Sequence, residues 1–205
     1  MTLVRDTLVQ NSLVSKYLET IRAVDGEVLN LSFHQLRLEK ALDANTTHRL
    51  DSLLNPPQNG LYRCRVVYDA KSIEVSYIKY VKRSIKKLKL VYDDTIEYAK
   101  KYENREDIEK LVVQKESCDD VLIVKNGLLC DTSIANIALY DGSVWFTPNT
   151  PLLEGTTRAR LLQNAALVVK DIKPEELKNY SKIALMNAMI DFDIIAVENI
   201  EEMIC

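Results

Sequence analysis

Val121-Leu122-Ile123-Val124-Lys125-Asn126-Gly127-Leu128-Leu129-Cys130-Asp131-Thr132-Ser133-Ile134-Ala135-Asn136-Ile137 alternates short apolar runs with turn residues. Val121 to Val124 and Leu128 to Leu129 read as strands, joined through Lys125-Asn126-Gly127. Ile134 to Leu139 and Val144 to Phe146 follow as further strands across Tyr140-Asp141-Gly142-Ser143. Strands this short, joined by turns and not by helices, predict an α+β fold with mainly antiparallel or mixed sheets. Within the segment, Cys130-Asp131-Thr132-Ser133 interrupts apolar strand sequence with polar groups. Asp131 reads either as a turn residue or as a carboxylate aimed into a pocket.

The same grammar extends in both directions. Leu13 to Val24 reads as a strand, with an Asp25-Gly26 hairpin turn and a second short strand, Glu27 to Leu29. From Ser32 the period changes: Phe33, Leu36, Leu38 and Ala41-Leu42 suit one helix face, with Asn30 or Ser32 as N-cap. Leu61 to Tyr68 and Ser72 to Tyr80 form a hairpin across Asp69-Ala70-Lys71. Asp94 to Lys101 and Glu106 to Gln114 read as helices. Helix Thr156 to Leu167 follows the central strands, and strands around Ile183 to Leu185 and Ile194 to Val197 close the chain. A composition shift near residues 80 to 95 marks the candidate boundary between a small N-terminal domain, 1–85, and a larger one, 86–205.

With 205 residues and 47% hydrophobic content, the chain can bury a real core in one large or two small domains. Its net charge of −3 gives no bulk electrostatic case for nucleic acid or an anionic membrane. The basic segment Lys82 to Lys89 lacks interleaved aromatic side chains, so it reads as a solvated linker or sheet edge and not as a nucleic-acid site. No run approaches the roughly 18 apolar residues of a membrane span. Residues 1–10 do not form a signal peptide. Cys64, Cys118, Cys130 and Cys205 show neither metal-ligand spacing nor the density of a disulfide framework. A reduced, cytoplasmic, soluble protein without a metal site is the expectation.

Three segments could carry chemistry. Gly155-Thr156-Thr157 opens an amphipathic helix, so backbone N–H groups and two hydroxyls gather at the positive end of its dipole. That is an anion site or an ordinary cap. Lys101, in Lys100-Lys101-Tyr102-Glu103-Asn104-Arg105, could act as a nucleophile if burial or neighbouring positive charge deprotonates it. Arg63 and Arg65 share one strand face and read either as surface arginines or as contacts for a substrate carboxylate. The chain has only His34 and His48, which leaves little scope for a histidine triad or metal site.

In their order along the chain these segments resemble the fold-type IV, or class IV aminotransferase-like, enzymes. Leu18-Glu19-Thr20-Ile21 is similar to the family's entry strand, and His34-Gln35-Leu36-Arg37-Leu38 to its His-x-x-Arg-Leu helix. Lys101-Tyr102-Glu103-Asn104-Arg105 is similar to its Lys-x-x-Asn-Arg element, and Asp119 to Ile123 to its acidic-then-apolar strand. Asp131-x-x-x-x-Asn136-Ile137 matches its Glu-x-x-x-x-Asn signature, with Asp for the usual Glu. Trp145-Phe146-Thr147-Pro148, Leu153-x-Gly155-x-Thr157-Arg158 and Met186-Asn187-Ala188-Met189 complete the series.

The resemblance implies a two-domain fold, a homodimer and pyridoxal 5'-phosphate held by a Schiff base to Lys101. It also implies that Arg37, Thr156 and Thr157 grip the cofactor phosphate beside Gly155, and that Asp131 faces the pyridine nitrogen. Asn136 and Asn187 are implied as supporting or substrate-side groups. Asn187-Ala188 and the Lys-x-x-Asn-Arg spelling favour the aminodeoxychorismate lyase branch, which releases pyruvate to give 4-aminobenzoate for folate. The alternatives are an aminotransferase acting on branched-chain or D-amino acids, and a noncatalytic binding protein of the same fold. The expected partner is a small-molecule amino substrate.

Overall fold

The computed structural model describes residues 15–44, 46–195 and 200–205, which build two sheets. In the first, β1 (Tyr17–Val24) turns into β2 (Glu27–Val28), and β3 (Leu61–Tyr68) turns into β4 (Ile73–Lys79). Asp25 and Gly26 both have positive φ, the geometry an Asp-Gly hairpin turn accepts at least cost. The sheet is antiparallel in the order β2-β1-β3-β4, with Tyr17 opposite Tyr68 and Val24 opposite Leu61. Because side chains alternate along a strand, Glu19, Ile21 and Ala23 point into the core, while Thr20 and Arg22 take the other face.

α1 (Leu31–Ala41) covers that core face together with the short α2 (Leu50–Leu53). The buried face of α1 is His34, Leu38 and Ala41, the i, i+4, i+7 row. Leu36, expected on that face, is 63% exposed. A buried polar partner on β1 draws His34 inward and rotates the helix away from a purely apolar register. Of the two expected caps, Asn30 is the N-cap residue. Asn30 sits at φ 54 with no side-chain cap bond, and Ser32 lies inside the helix.

The second sheet follows. It comprises β5 (Leu88–Tyr92), β6 (Asp120–Lys125), β7 (Leu128–Thr132), β8 (Asn136–Tyr140), β9 (Trp145–Pro148), β10 (Val168–Lys170), β11 (Lys182–Asn187) and β12 (Asp191–Ile195). Its order is β10-β9-β8-β7-β6-β5, with β11 on the other edge of β8 and β12 beyond it. The β5–β6 and β9–β10 pairs are parallel and the rest antiparallel, so the sheet is mixed. Asp120 to Val124 of β6 are all buried. Leu122 and Val124 join one apolar cluster with Leu88, Ile137 and Ile183, while Val121 and Ile123 join another with Ile108, Leu111 and Leu152. A strand covered on both faces has no reason to alternate, which is why this one reads as a continuous apolar run.

α3 (Glu106–Val112) lies between β5 and β6 in the chain, and α4 (Thr156–Gln163) between β9 and β10. The helix expected over Asp94 to Lys101 is absent. Asp93 Oδ1 accepts from the N–H groups of Thr95 and Ile96 and from the Thr95 hydroxyl, a turn that competes with helix. Beyond it the chain runs extended beside β1, where Leu18 N donates to Lys101 O and Glu103 N to Lys16 O. α4 also stops earlier than Leu167. Ala165 takes φ 55, and the chain leaves to run as β10 beside β9. The last strand spans Asp191–Ile195, and the expected extension to Val197 falls outside the described residues, as does the start of the first strand at Leu13.

Residues 80–87 between the sheets form no regular element, and Asp119 organises them. Its Oδ2 accepts from Lys86 N and Lys87 N, its carbonyl accepts from Arg83, and Lys82 pairs with Asp193 at 2.7 Å. The basic run is therefore an ion-paired connector. The expectation of fully reduced cysteines needs correction. Cys118 and Cys205 form a disulfide across 87 positions, with Cα atoms 6.5 Å apart. The last described segment brings them together: Ile204 bridges Leu88 in parallel and Cys205 N donates to Leu88 O. Cys64 and Cys130 remain buried thiols. No helix among the described residues is long and apolar enough to cross a membrane.

Candidate active site

Between the two sheets lies a cavity of about 190 Å³, lined by the outward face of the first sheet, the Lys101 segment and the β7–β8 and α4 ends of the second. Arg37, Lys101, Asp131, Asn136, Gly155, Thr156 and Asn187 all line it. Thr157 is buried but not part of the wall.

Lys101 carries the reactive geometry. Its neighbour Lys100 is engaged, donating to Ala41 O at 2.8 Å and facing Asp43. The Lys101 side chain instead enters the cavity. Desolvation, helped by the charges of Arg37 and Arg105, lowers its pKa from 10.5 to about 7. A large fraction is therefore the neutral amine near neutral pH, the form that can act as a nucleophile.

Arg37 is fixed from below. Its Nε donates to Glu19 Oε1 at 2.8 Å and its Nη2 to Glu19 Oε2 at 2.5 Å. His34 donates from Nδ1 to the same Oε2 at 2.6 Å. Burial alone would raise the Glu19 pKa, but the Arg37 charge and the two donors overcome it and hold the carboxyl at about 2. Burial pushes His34 below its usual value in spite of that carboxylate, so it serves as a neutral donor. The two-point edge of Arg37 thus meets Glu19, and Nη1 is the part of the guanidinium left for a ligand.

On the opposite wall Asp131 faces Asn136 across the β7–β8 ladder. Asn136 Nδ2 donates to Asp131 Oδ1 at 2.7 Å and to Leu153 O at 2.9 Å, while Leu153 N donates to Asp131 Oδ2 at 3.0 Å. Burial raises the Asp131 pKa to about 6 against these bonds and the Arg158 charge. It is therefore ionised above that pH and fit to sit against a protonated ring nitrogen. Asn187 closes the β11–β12 turn, accepting from Met189 N and Ile190 N and donating to Ile134 O. Its amide is engaged by the backbone.

Gly155 is the N-cap of α4 and has no side-chain cap bond. A Cβ on it would fall 2.0 Å from Asn136 Oδ1, so the loop that presents the helix end can approach Asn136 only with glycine there. Its φ of −70 suits any residue, so the requirement is steric and not conformational. Gly155→Ala should displace the Asn136 amide from Asp131 and Leu153, destabilising the protein by about 1–3 kcal/mol. Urea denaturation checks this, and wild-type stability in the variant would show that the loop yields freely.

The residues suit an anionic aromatic aldehyde cofactor: an amine nucleophile, a buried acid for a ring nitrogen, and an uncapped helix start with one arginine nitrogen for a phosphate. Arg105 adds an independent sign. It lines the cavity, donates from Nη2 to Ser133 O at 2.6 Å, and its buried Nε has no partner among the described residues. In the sequence Arg105 is visible only as part of a motif, and no role attaches to Thr20 or Tyr98, which also line the wall. For Thr20 the signal was there: it has the parity opposite to the core-facing Ile21 and Ala23.

Residues 105–199 match the family model described as amino-transferase class IV. An uncharacterised protein of Haemophilus influenzae is 37% identical, the match covering 83% of this chain and 96% of that one. The crystal structure of a candidate 4-amino-4-deoxychorismate lyase from Haemophilus somnus is 33% identical, with TM-score 0.76 over 85% of this chain and 96% of that chain. The branched-chain amino acid aminotransferase of Escherichia coli shares the fold at 15% identity, with TM-score 0.72 over 95% of this chain and 81% of that chain. The motif order, the cavity and these similarities together establish that the chain belongs to the class IV aminotransferase family of pyridoxal-phosphate-dependent enzymes.

Proposed function

We propose that this chain binds pyridoxal 5'-phosphate covalently through Lys101 and acts as a lyase, releasing pyruvate from an amino-cyclohexadiene enol ether to give 4-aminobenzoate. The observation that carries the cofactor reading is the pairing, in one cavity, of a lysine held near pKa 7 with a buried aspartate held near 6. The lyase reading draws support from the 33% identical relative described as a candidate 4-amino-4-deoxychorismate lyase.

When bound, the cofactor supplies an electron sink that acidifies the carbon carrying the substrate amine. The chain's own residues do the rest. Arg37 Nη1, the first-turn N–H groups of α4 and the Thr156 hydroxyl bind the phosphate. Asp131 stays ionised, steadied by Asn136 and Leu153 N, and keeps a proton on the ring nitrogen. Arg105 Nε, buried and unpartnered among the described residues, would offer the bound cofactor a hydrogen-bond donor. Lys101 Nζ takes the proton from the amine-bearing ring carbon, and the bond from the neighbouring carbon to the ether oxygen breaks. A proton returned by Lys101 to the departing enol's methylene gives pyruvate, so the sum is substrate to 4-aminobenzoate plus pyruvate with no net redox change. We place the enzyme in the cytoplasm as a homodimer.

The test is to add pyridoxal 5'-phosphate, reduce with borohydride, map the labelled peptide, and separately incubate the loaded enzyme with 4-amino-4-deoxychorismate. The expected result is label on Lys101 and equal yields of 4-aminobenzoate and pyruvate. Transfer of the amino group to a 2-oxo acid, without pyruvate release, would replace the lyase reading by an aminotransferase one.

A further inference from the structure

We infer that Cys205 is a modification site, taking a low-molecular-weight thiol in reversible disulfide exchange, with Cys118 as the thiol that resolves it; the proposed reaction uses neither residue. The two sulfurs of the Cys118–Cys205 bond differ in their access to solvent. Cys118 is 2% exposed, whereas Cys205 is an exposed residue. A small thiolate therefore reaches Cys205 Sγ and not its partner. Lys115 Nζ donates to Cys118 O at 3.1 Å, so an ammonium stands beside the residue whose sulfur departs, and positive charge favours a thiolate. The nearby acid Glu116 is taken up by Lys89 at 3.1 Å. The other two cysteines do not compete. Cys64 and Cys130 are buried, and burial pushes both thiols up to about 11.

The exchange balances without an outside oxidant or reductant. The incoming thiolate bonds to Cys205 Sγ, the Cys205–Cys118 bond breaks, and its electron pair leaves on Cys118 Sγ. Attack by the Cys118 thiolate on the mixed disulfide reverses each step and expels the small thiol. What the bond holds down gives the modification its effect. β5 is the end strand of the second sheet, paired with β6. The 200–205 segment lies against β5 through the Ile204–Leu88 bridge and the bond from Cys205 N to Leu88 O at 2.9 Å. Its Ile200 and Met203 are buried in the apolar cluster that holds Leu88 and Leu122. The segment is thus a strap over an edge strand whose backbone groups would otherwise stand open. The disulfide fixes that strap to the start of β6, and a thiol on Cys205 frees it to lift.

The experiment equilibrates the full chain in a buffer of reduced and oxidised glutathione, quenches with acid, alkylates the free thiols and maps the peptides by mass spectrometry. Glutathione should appear on Cys205, with Cys118 alkylated and with Cys64 and Cys130 free of it. Once gel filtration removes the glutathione, wild type should shed the adduct and close the Cys118–Cys205 bond, while Cys118→Ser should keep it. Amide hydrogen exchange in the 200–205 strap should run roughly tenfold faster or more in the adduct than in the disulfide form. Cys205→Ser should take no glutathione on Cys118, which keeps the test alive should Cys118→Ser fail to fold. Glutathione on Cys118 in either protein overturns the assignment, as does a wild-type adduct that lasts as long as that of Cys118→Ser. Strap exchange unchanged by the adduct overturns the lifting of the strap.

Discussion

Lys101→Ala should leave a folded protein that holds no borohydride-stable cofactor and turns over slower by about 10²–10⁴-fold or more, the range lost with a positioned acid–base group. The side chain is a desolvated amine with two arginines nearby, and that environment, not the lysine itself, makes it reactive. Removing it relieves a buried, partly charged group, so circular dichroism and the urea midpoint should stay near wild type. Wild-type protein adds a pH signature. Because the charged form is inert, the rate of cofactor attachment should rise with pH and reach half its plateau near pH 7, against about 10.4 for an ordinary lysine. Absorbance-followed attachment at a series of pH values reads this directly. Label found on Lys100 in the variant, or a rate still climbing beyond pH 9, would show that burial does not tune Lys101.

The paired shifts of Lys101 and Asp131 have one cause and opposite signs. Burial disfavours charge on both, lowering the amine and raising the acid until they lie about one unit apart. The sheets hold them on facing walls, so each can meet a different part of one ring. Asn136 links the acid to the start of α4, since the amide that bonds Asp131 also sits against Gly155 and holds Leu153 O. One side chain therefore fixes the acid relative to the start of α4.

The sequence shows the strands and their turns because local chemistry dictates them. Asn126-Gly127 and Asp25-Gly26 sit at positive φ, and the apolar runs beside them are buried. Motif order likewise brings Arg37, Lys101, Asp131 and Gly155 to one cavity, because each motif carries its own local geometry. What is illegible depends on partners far along the chain. The Lys101 segment reads as a helix until its backbone pairs with β1. Cys118 and Cys205 look unrelated until the 200–205 segment lies beside β5. Glu19 is an intermediate case. Its parity with Ile21 and Ala23 marks it as core-facing, so a partner was required, but which one depended on how α1 docks.

Glu19→Ala should be the most damaging change to the fold itself. Removing one member of a buried, hydrogen-bonded pair leaves its partner charged and unsolvated, at a cost of about 3–5 kcal/mol. Glu19 is fully buried and answers both Arg37 and His34, so the variant strands a guanidinium and a buried imidazole together. Against a typical total of about 5–15 kcal/mol that is a large share, and the urea midpoint should fall accordingly. Glu19→Gln, which keeps one oxygen to accept, should fall between the two. The same carboxylate predicts acid sensitivity with a definite sign. Its pKa is about 2 in the folded protein against 4.5 without the fold. The unfolded chain therefore takes up a proton first, and the stability from Glu19 is intact above pH 4.5 and lost as pH falls toward 2. In Glu19→Ala that portion of the acid dependence should vanish, flattening the stability profile between those limits. A variant as stable as wild type, with the same acid profile, would mean that Arg37 and His34 find water in place of Glu19. The fixed guanidinium beneath the cavity would then have to be held by something else.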